Sequence, residues 1–210
     1  MEVYTTENEQ VDALRRFFAE NGKALAVGVV LGIGALVGWR YWQSHENSNM
    51  MAASQSYQEA SDRLAAGKPD DVAAAEKFVQ ANGNSYGVLA ALQLAKHFVE
   101  QNDFAKAEQQ LALAQGQTKD DNLLAMIDLR LARVQLQEKK LDEALKTLDG
   151  VKGEGWAAMM QDVRGDVLLA KGDAKGDAKG AREAYSKGIE SNASQALQVL
   201  LRMKLNNLSS

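Results

Sequence analysis

The sequence predicts an all-α protein, a single apolar N-terminal helix followed by a run of short helical pairs, and three observations carry that expectation. Proline occurs once in 210 residues, against roughly 5% in average chains, and proline is the residue that breaks helices and punctuates loops. The remainder is rich in Ala, Leu, Gln, Glu and Lys, which favour helix. Finally, one uncharged stretch, Ala24 to Trp39, stands apart from a composition of 46% apolar and 25% charged residues that is otherwise ordinary for a soluble domain.

Charge and cysteine content remove several classes of function. The net charge is −4 and the pI about 5.3, which argues against a nucleic-acid partner, because phosphate neutralisation needs a basic surface. No basic domain is masked by the average. Four of the 24 Lys and Arg and five of the 28 Asp and Glu lie in residues 1–43, leaving 20 against 23 beyond Gln43. The absence of cysteine excludes disulfides, thiolate metal sites, cysteine catalysis and lipoprotein-type lipid attachment.

The first element is the leader, "NEQVDALRRFFAENG". Val11, Leu14, Phe17 and Phe18 recur at helical spacing, Asn8 is placed as an N-cap, and Asn21-Gly22 forms a natural stop. A short amphipathic helix on the cytoplasmic surface is expected, with Arg15 and Arg16 either among lipid phosphates or serving as ordinary surface charge.

The second element is the membrane question. Ala24 to Trp39 gives 16 residues without a charge, and Arg40, Tyr41 and Trp42 extend the segment to 19, within the roughly 17–25 that span a bilayer as helix. Lys23 and Arg40 bracket it and can snorkel to headgroups, while Trp39, Tyr41 and Trp42 form an aromatic belt at the interface. A signal peptide would have a short basic leader and a small-residue cleavage site. Here the leader is acidic and bulky Trp-Arg-Tyr-Trp follows the apolar run. A buried core helix would be shorter, with a polar edge. Arg15, Arg16 and Lys23 on one side against Arg40 alone on the other place the N-terminus in the cytoplasm. The expected organisation is a leader at 1–22, a transmembrane helix at 23–42 and a helical domain across the membrane at 43–210.

Within the span, Ala24, Gly28, Gly32 and Ala35 share one helix face, and Gly34 and Gly38 share another. Small residues let helices approach closely in lipid, so the first face is a contact surface for another transmembrane helix; the alternative is that glycine is simply frequent in such helices. "GIGALVG" is no phosphate loop, since it follows no strand.

Beyond about Ser48, apolar helical stretches alternate with breaks at 66–69, 82–84, 101–103, Gly116 and 139–140. The pattern repeats. Leu94-Ala95, Phe98, Ala107, Leu111 and Ala114 are matched in spacing by Leu131-Ala132, Gln135, Ala144, Leu148 and Val151. Gly165, Leu168, Ala181, Tyr185 and Gly188 fit once four residues are removed. A small residue facing another twelve positions later, with larger residues filling the groove between helix pairs, is the spacing of tetratricopeptide repeats. The extra residues belong to the tandem "KGDAKGDAKG", expected to be a lengthened turn rather than a binding motif. Ala74, Phe78 and Ala81 suggest a degenerate leading unit that begins near Ser48. The final "ASQALQVLLRMKLNNL" is expected to cap the array through Leu197, Leu200, Leu201 and Leu205.

Chemistry is sparse. His45 and His97 have no metal-spaced partner, and there is no nucleophile elbow, HExxH or Walker loop. Asp70-Asp71 and Asp120-Asp121 precede helices, where they complement the positive end of the dipole. In "GEGWAAM", Trp156 either turns a corner and packs on the next pair or anchors an interface.

The acidic leader, "ENGKALAVGVVLGIGALVGWRYW", the repeats with "GEGWAAMMQDVRGDVLLAKGD" and the terminal "MKLNNLSS" occur in an order that resembles the YfgM family of bacterial ancillary translocon subunits, over essentially the whole chain. The resemblance implies an inner-membrane protein with a periplasmic domain. It further implies association with the SecYEG translocon and the membrane-anchored chaperone PpiD, and assistance to unfolded exported client proteins. The tandem "KGDA" departs from the family and is expected to affect only a loop. The functional expectation is a non-enzymatic, membrane-anchored interaction subunit without cofactor, binding through the concave face of the solenoid. The alternative is an envelope adaptor linking a cytoplasmic regulator to a repeat-domain sensor.

Overall fold

The computed structural model describes residues 7–171 and 177–208, and among them there is helix but no strand. The elements are α1 Glu7–Ala66, α2 Pro69–Ala81, α3 Ser85–Glu100, α4 Phe104–Gln117, α5 Asp121–Gln137, α6 Leu141–Asp149, a 3₁₀ turn Glu154–Trp156, α7 Ala157–Lys171, α8 Ala178–Glu190 and α9 Gln195–Asn207. The chain divides into two units, Met1–Ala52 and Ala53–Ser210, and the division falls inside α1.

The first unit is the greater part of one helix, and here three sequence expectations are corrected. Asn21-Gly22 does not stop the helix. Asn21 Nδ2 donates back to the Phe17 carbonyl at 3.1 Å, so the asparagine is satisfied within the turn. Gly22 costs only about 1 kcal/mol relative to alanine in a helix interior. Asn8 correspondingly lies inside α1 rather than capping it. Nor does a new helix begin near Ser48, whose hydroxyl bonds the Ser44 and His45 carbonyls at 3.2 and 3.1 Å.

The second unit is built from helix pairs. Its first core cluster joins the end of α1 to α2, α3, α4 and α5 through Leu64, Val79, Leu94, Phe98 and Leu111, all under one-tenth exposed. Tyr57, on the last turns of α1, accepts a hydrogen bond from Gln93 Nε2 at 2.7 Å and lies against the Tyr86 ring. A second cluster links α5, α6 and α7, and a third links α8 to α9. In α2 the buried positions are Ala75 and Val79, not Ala74 and Ala81. Three consecutive alanines leave the apolar stripe undefined until α3 packs against it.

The small-facing-small spacing is seen directly. Ala95, Ala107, Ala132, Ala144 and Ala181 are at most 3% exposed, and Gly165 is buried. At the position where the first two pairs have Leu111 and Leu148, the third has Tyr185, and this explains Gly165. A Cβ there would lie 2.2 Å from Tyr185 Cε1. The larger side chain is accommodated by removing the methyl opposite.

The turns inside the pairs share one closing bond. Asp103 N–H donates to Phe98 O at 2.8 Å, Lys140 N–H to Gln135 O at 2.9 Å, and Asp177 N–H to Leu168 O at 3.2 Å. Those residues occupy equivalent repeat positions, so the four extra residues of the third pair lie between the two ends of a bond the others also make. Residues 172–176 of the tandem "KGDA" lie outside the described residues. Asp103 and Asp177 also cap α4 and α8 through Lys106 N and Gly180 N. Asn102 and Lys139 take the left-handed conformation that ends the first helix of their pairs, at φ 59° and 63°.

Gly116 is not a break: α4 continues to Gln117, and α5 starts where Asp120 caps Leu123 N at 2.8 Å. At the C-terminus α9 packs on α8 and α7. Leu201 is its fully buried residue, while Leu200 is 42% exposed and faces away.

Candidate functional site

In the first unit, α1 contains a stretch long and apolar enough to cross a membrane, with mean hydropathy 1.7 and none of that window buried. Val27, Val30, Leu31, Ile33 and Leu36 are all more than half exposed. A helix apolar on every side has no water-facing stripe, and its natural surroundings are hydrocarbon. At 1.5 Å per residue, 19 residues give about 28 Å, close to the roughly 30 Å of a bilayer core. Lys23 and Arg40 are exposed at its ends. Trp39 and Trp42 meet edge to face at 5.7 Å, with Tyr41 beside them, all three exposed. Ala24, Gly28, Gly32 and Ala35 form an exposed face, and a Cβ on either glycine would meet nothing within 4 Å.

In the second unit Trp156 turns a corner. Gly153, at φ 95°, permits the reversal, and its carbonyl accepts from Trp156 N at 3.1 Å. The indole Nε1 donates to Asn122 Oδ1 at 3.1 Å, and the ring packs partly buried on the α5–α6–α7 cluster. That geometry accounts for the tryptophan as a structural seat.

Two grooves flank the helix pairs. One, of about 600 Å³, lies between α4 and α6 above α5. Several of its polar groups are paired: Gln135 Nε2 donates to Glu108 Oε1 at 3.1 Å and Thr147 Oγ1 donates to Gln135 Oε1 at 2.8 Å, while Lys140, beside the groove, pairs with Glu108 and Glu138. Burial alone would raise the Glu108 carboxyl, but hydrogen bonds from Lys140 and Gln135 outweigh it and hold the pKa below its usual value. Asp128 accepts from Gln115 Nε2 at 2.6 Å, and burial pushes its pKa up.

The other groove, of about 500 Å³, lies between α3 and α5 above α4 and is different in kind. Apolar Ala95, Val99, Leu111 and Val134 line it together with Lys96, Arg130 and Arg133. Sequence reading missed these cations. A signal was present, since Lys96 and Arg133 each directly follow the small residue of their repeat, Ala95 and Ala132.

The equivalent position in the third pair is Asp166, and it belongs to a further cluster that the sequence did not reveal. Lys204 on α9 donates to Asp162 Oδ1 and to Asp166 at 2.7 Å, and Tyr185 Oη donates to Asp166 Oδ1 at 2.8 Å. Arg133 approaches Asp162 at 3.7 Å. Burial would lower the Lys204 ammonium, but the bonds to Asp162 and Asp166 reverse this and raise its pKa. Burial and then Asp166 raise the Tyr185 phenol. These groups lock α9 onto α7.

Among the described residues no group of three or more His, Asp or Glu is placed to hold a metal ion. His45 is exposed on α1, and His97 lies partly buried against the Phe98 ring.

Comparison with known proteins agrees with this architecture. The family model described as a tetratricopeptide repeat-like domain matches residues 15–210. The chain is 55% identical over 209 residues to the ancillary SecYEG translocon subunit of Escherichia coli strain K12, covering 100% of each. It is 39% identical to the protein of that name in Haemophilus influenzae, covering 98% of this chain and 99% of the relative. With the Neisseria gonorrhoeae protein of that name the identity is 25%, over 99% of this chain. No solved structure matches.

Proposed function

Because the chain belongs to the YfgM family of ancillary SecYEG translocon subunits, whose tetratricopeptide repeat-like domain it carries, we propose that it is a single-pass inner-membrane interaction subunit. In this reading residues 1–22 lie in the cytoplasm, 23–42 cross the membrane and 43–210 form a periplasmic domain. The protein associates with the SecYEG translocon and with PpiD and assists unfolded proteins as they are exported. The observation that supports this best is the exposed apolar stretch of α1, closed by Lys23 at one end and by Trp39, Arg40, Tyr41 and Trp42 at the other. The unequal distribution of Lys and Arg around it supports the proposed orientation. No covalent step is involved; the chain contributes a surface and a location.

The Ala24, Gly28, Gly32 and Ala35 face is assigned to packing on another transmembrane helix, where the missing side chains let backbones approach. Trp156 remains a second, weaker candidate for protein contact. The full-length chain, solubilised from membranes in mild detergent, is expected to co-purify with the translocon. A full-length variant whose residues 24–38 are replaced by a leucine-alanine span, still membrane-inserted, is expected to lose most of that association. Undiminished co-purification of the variant would assign the contact to the repeat domain instead, and failure of the unmodified chain to co-purify would reject the association.

A further inference from the structure

The α3–α5 groove carries more charge of one sign than its surroundings explain. The chain is acidic overall, with net charge −4, yet the three charged residues lining this groove, Lys96, Arg130 and Arg133, are all cationic. Two of them, Lys96 and Arg130, are also weakly engaged. Arg130 is exposed and forms no ion pair among the described residues. Lys96 meets only Glu100 on its own helix at 3.7 Å, with both side chains more than half exposed, and Arg133 reaches Asp162 at 3.7 Å. The exposed Lys96–Glu100 pair contributes little and exchanges readily for other partners, whereas Arg133 also faces the buried carboxylate of Asp162. The α4–α6 groove shows the contrast, because its lining carries three carboxylates, Glu108, Asp128 and Glu143, beside the single cation Lys146.

Beneath the cations the lining is apolar. Leu111 and Val134 are buried, and Val99, 38% exposed, forms part of the same wall. Cations over an apolar floor, two of them uncommitted, are complementary to a chain that carries an apolar side chain flanked by carboxylates. Arg130 and Arg133 project from one face of α5 at a spacing of three residues, and Lys96 faces them from α3, so carboxylates on either side of a central apolar residue would each find a cation.

We propose that this groove binds an extended acidic–apolar segment of another protein, seating its apolar side chain between Val99 and Val134 and its carboxylates on Lys96, Arg130 and Arg133. The inference rests on the reading of the domain as a protein-binding one and specifies the chemistry of what it selects. Steering by the three cations makes the interaction sensitive to salt.

The test uses the full chain in a neutral detergent and three labelled ten-residue peptides with a common Leu-Phe centre, flanked by Asp and Glu, by Ser and Gly, or by Lys. Fluorescence anisotropy should show the acidic peptide binding roughly tenfold more tightly than the neutral one, a difference of about 1.4 kcal/mol, and weakening as salt rises. Arg130→Glu should abolish that preference, and Lys96→Glu should do so independently, with unchanged thermal melting. Equal binding of all three peptides, binding unchanged in both variants, or occupation of the groove by a second copy of the chain, seen as a dimer in sedimentation that excludes the peptide, would overturn the proposal. Co-purification of Arg130→Glu with the translocon, measured in parallel, separates the two readings. Its retention leaves the subunit's association intact whatever the peptides do.

Discussion

Replacing Gly87 with alanine destabilises the repeat domain by about 3 kcal/mol or more, the upper end of what overpacking costs, because the clash is with backbone. A Cβ at this position would lie 1.7 Å from the Asn82 carbonyl oxygen and 2.8 Å from its carbon. No rotamer change relieves that contact. The 82–84 connection would have to move, and Asn84, whose side chain accepts from Tyr86 N at 3.0 Å and Gly87 N at 3.2 Å, would lose its cap on α3. Val88, Ala91 and Leu94 on that helix are at most 1% exposed, so the displacement reaches the first core cluster. Urea denaturation followed by circular dichroism measures the loss. Gly116→Ala is the control, since a Cβ there meets nothing within 4 Å, and it should be neutral or stabilising by up to about 1 kcal/mol through helix propensity.

The second large effect is expected at Lys204. Lys204→Met keeps much of the length of the side chain but removes the ammonium between Asp162 and Asp166. Asp162 is 8% exposed in its side chain, so the two carboxylates are left side by side, with the Tyr185 hydroxyl on Asp166 and Arg133 3.7 Å from Asp162. Breaking a fully buried pair costs roughly 3–5 kcal/mol; with Lys204 and Asp166 25% and 33% exposed, about 2–3 kcal/mol is expected. The loss should appear first as faster hydrogen exchange in α9. The pH dependence has a definite sign. The Lys204 pKa is raised above its ordinary 10.5, so the native state holds this proton more tightly than the unfolded chain. The contribution is fully present below pH 10.5 and is lost as pH rises through the raised value. Wild type should therefore lose its advantage over Lys204→Met in strongly alkaline solution.

Much of the repeat architecture is legible in the chain because burial there is periodic. Ala95 with Ala107, and Ala132 with Ala144, sit where helices touch, and no larger residue fits, so spacing alone reveals the pairs. Gly165 with Tyr185 follows the same logic with the sizes redistributed. Legibility fails where local signals are weak or contact is long-range. Asn21-Gly22 has the form of a helix stop, yet its cost is about 1 kcal/mol, too small to end a helix favoured on both sides. In α2, Ala73, Ala74 and Ala75 permit more than one stripe, and packing against α3 chooses Ala75. Leu200 and Leu201 are adjacent and chemically alike, and only the direction of α8 buries the second. The cationic groove was missed because charged residues at exposed positions show no periodic signature until α3 and α5 are brought side by side. The Lys204 cluster joins residues 38 and 42 positions apart, beyond the range of any local pattern.

In the proposed topology α1 carries the chain across the membrane and holds the repeat domain outside the cytoplasm. The absence of native cysteine permits a direct measurement, labelling single-cysteine variants with a membrane-impermeant maleimide in intact spheroplasts. Glu20→Cys and Asn192→Cys are both at exposed positions. The expected result is labelling of Asn192→Cys in intact cells and of Glu20→Cys only after lysis. Labelling of Glu20→Cys with protection of Asn192→Cys, or labelling of neither until lysis, would contradict it.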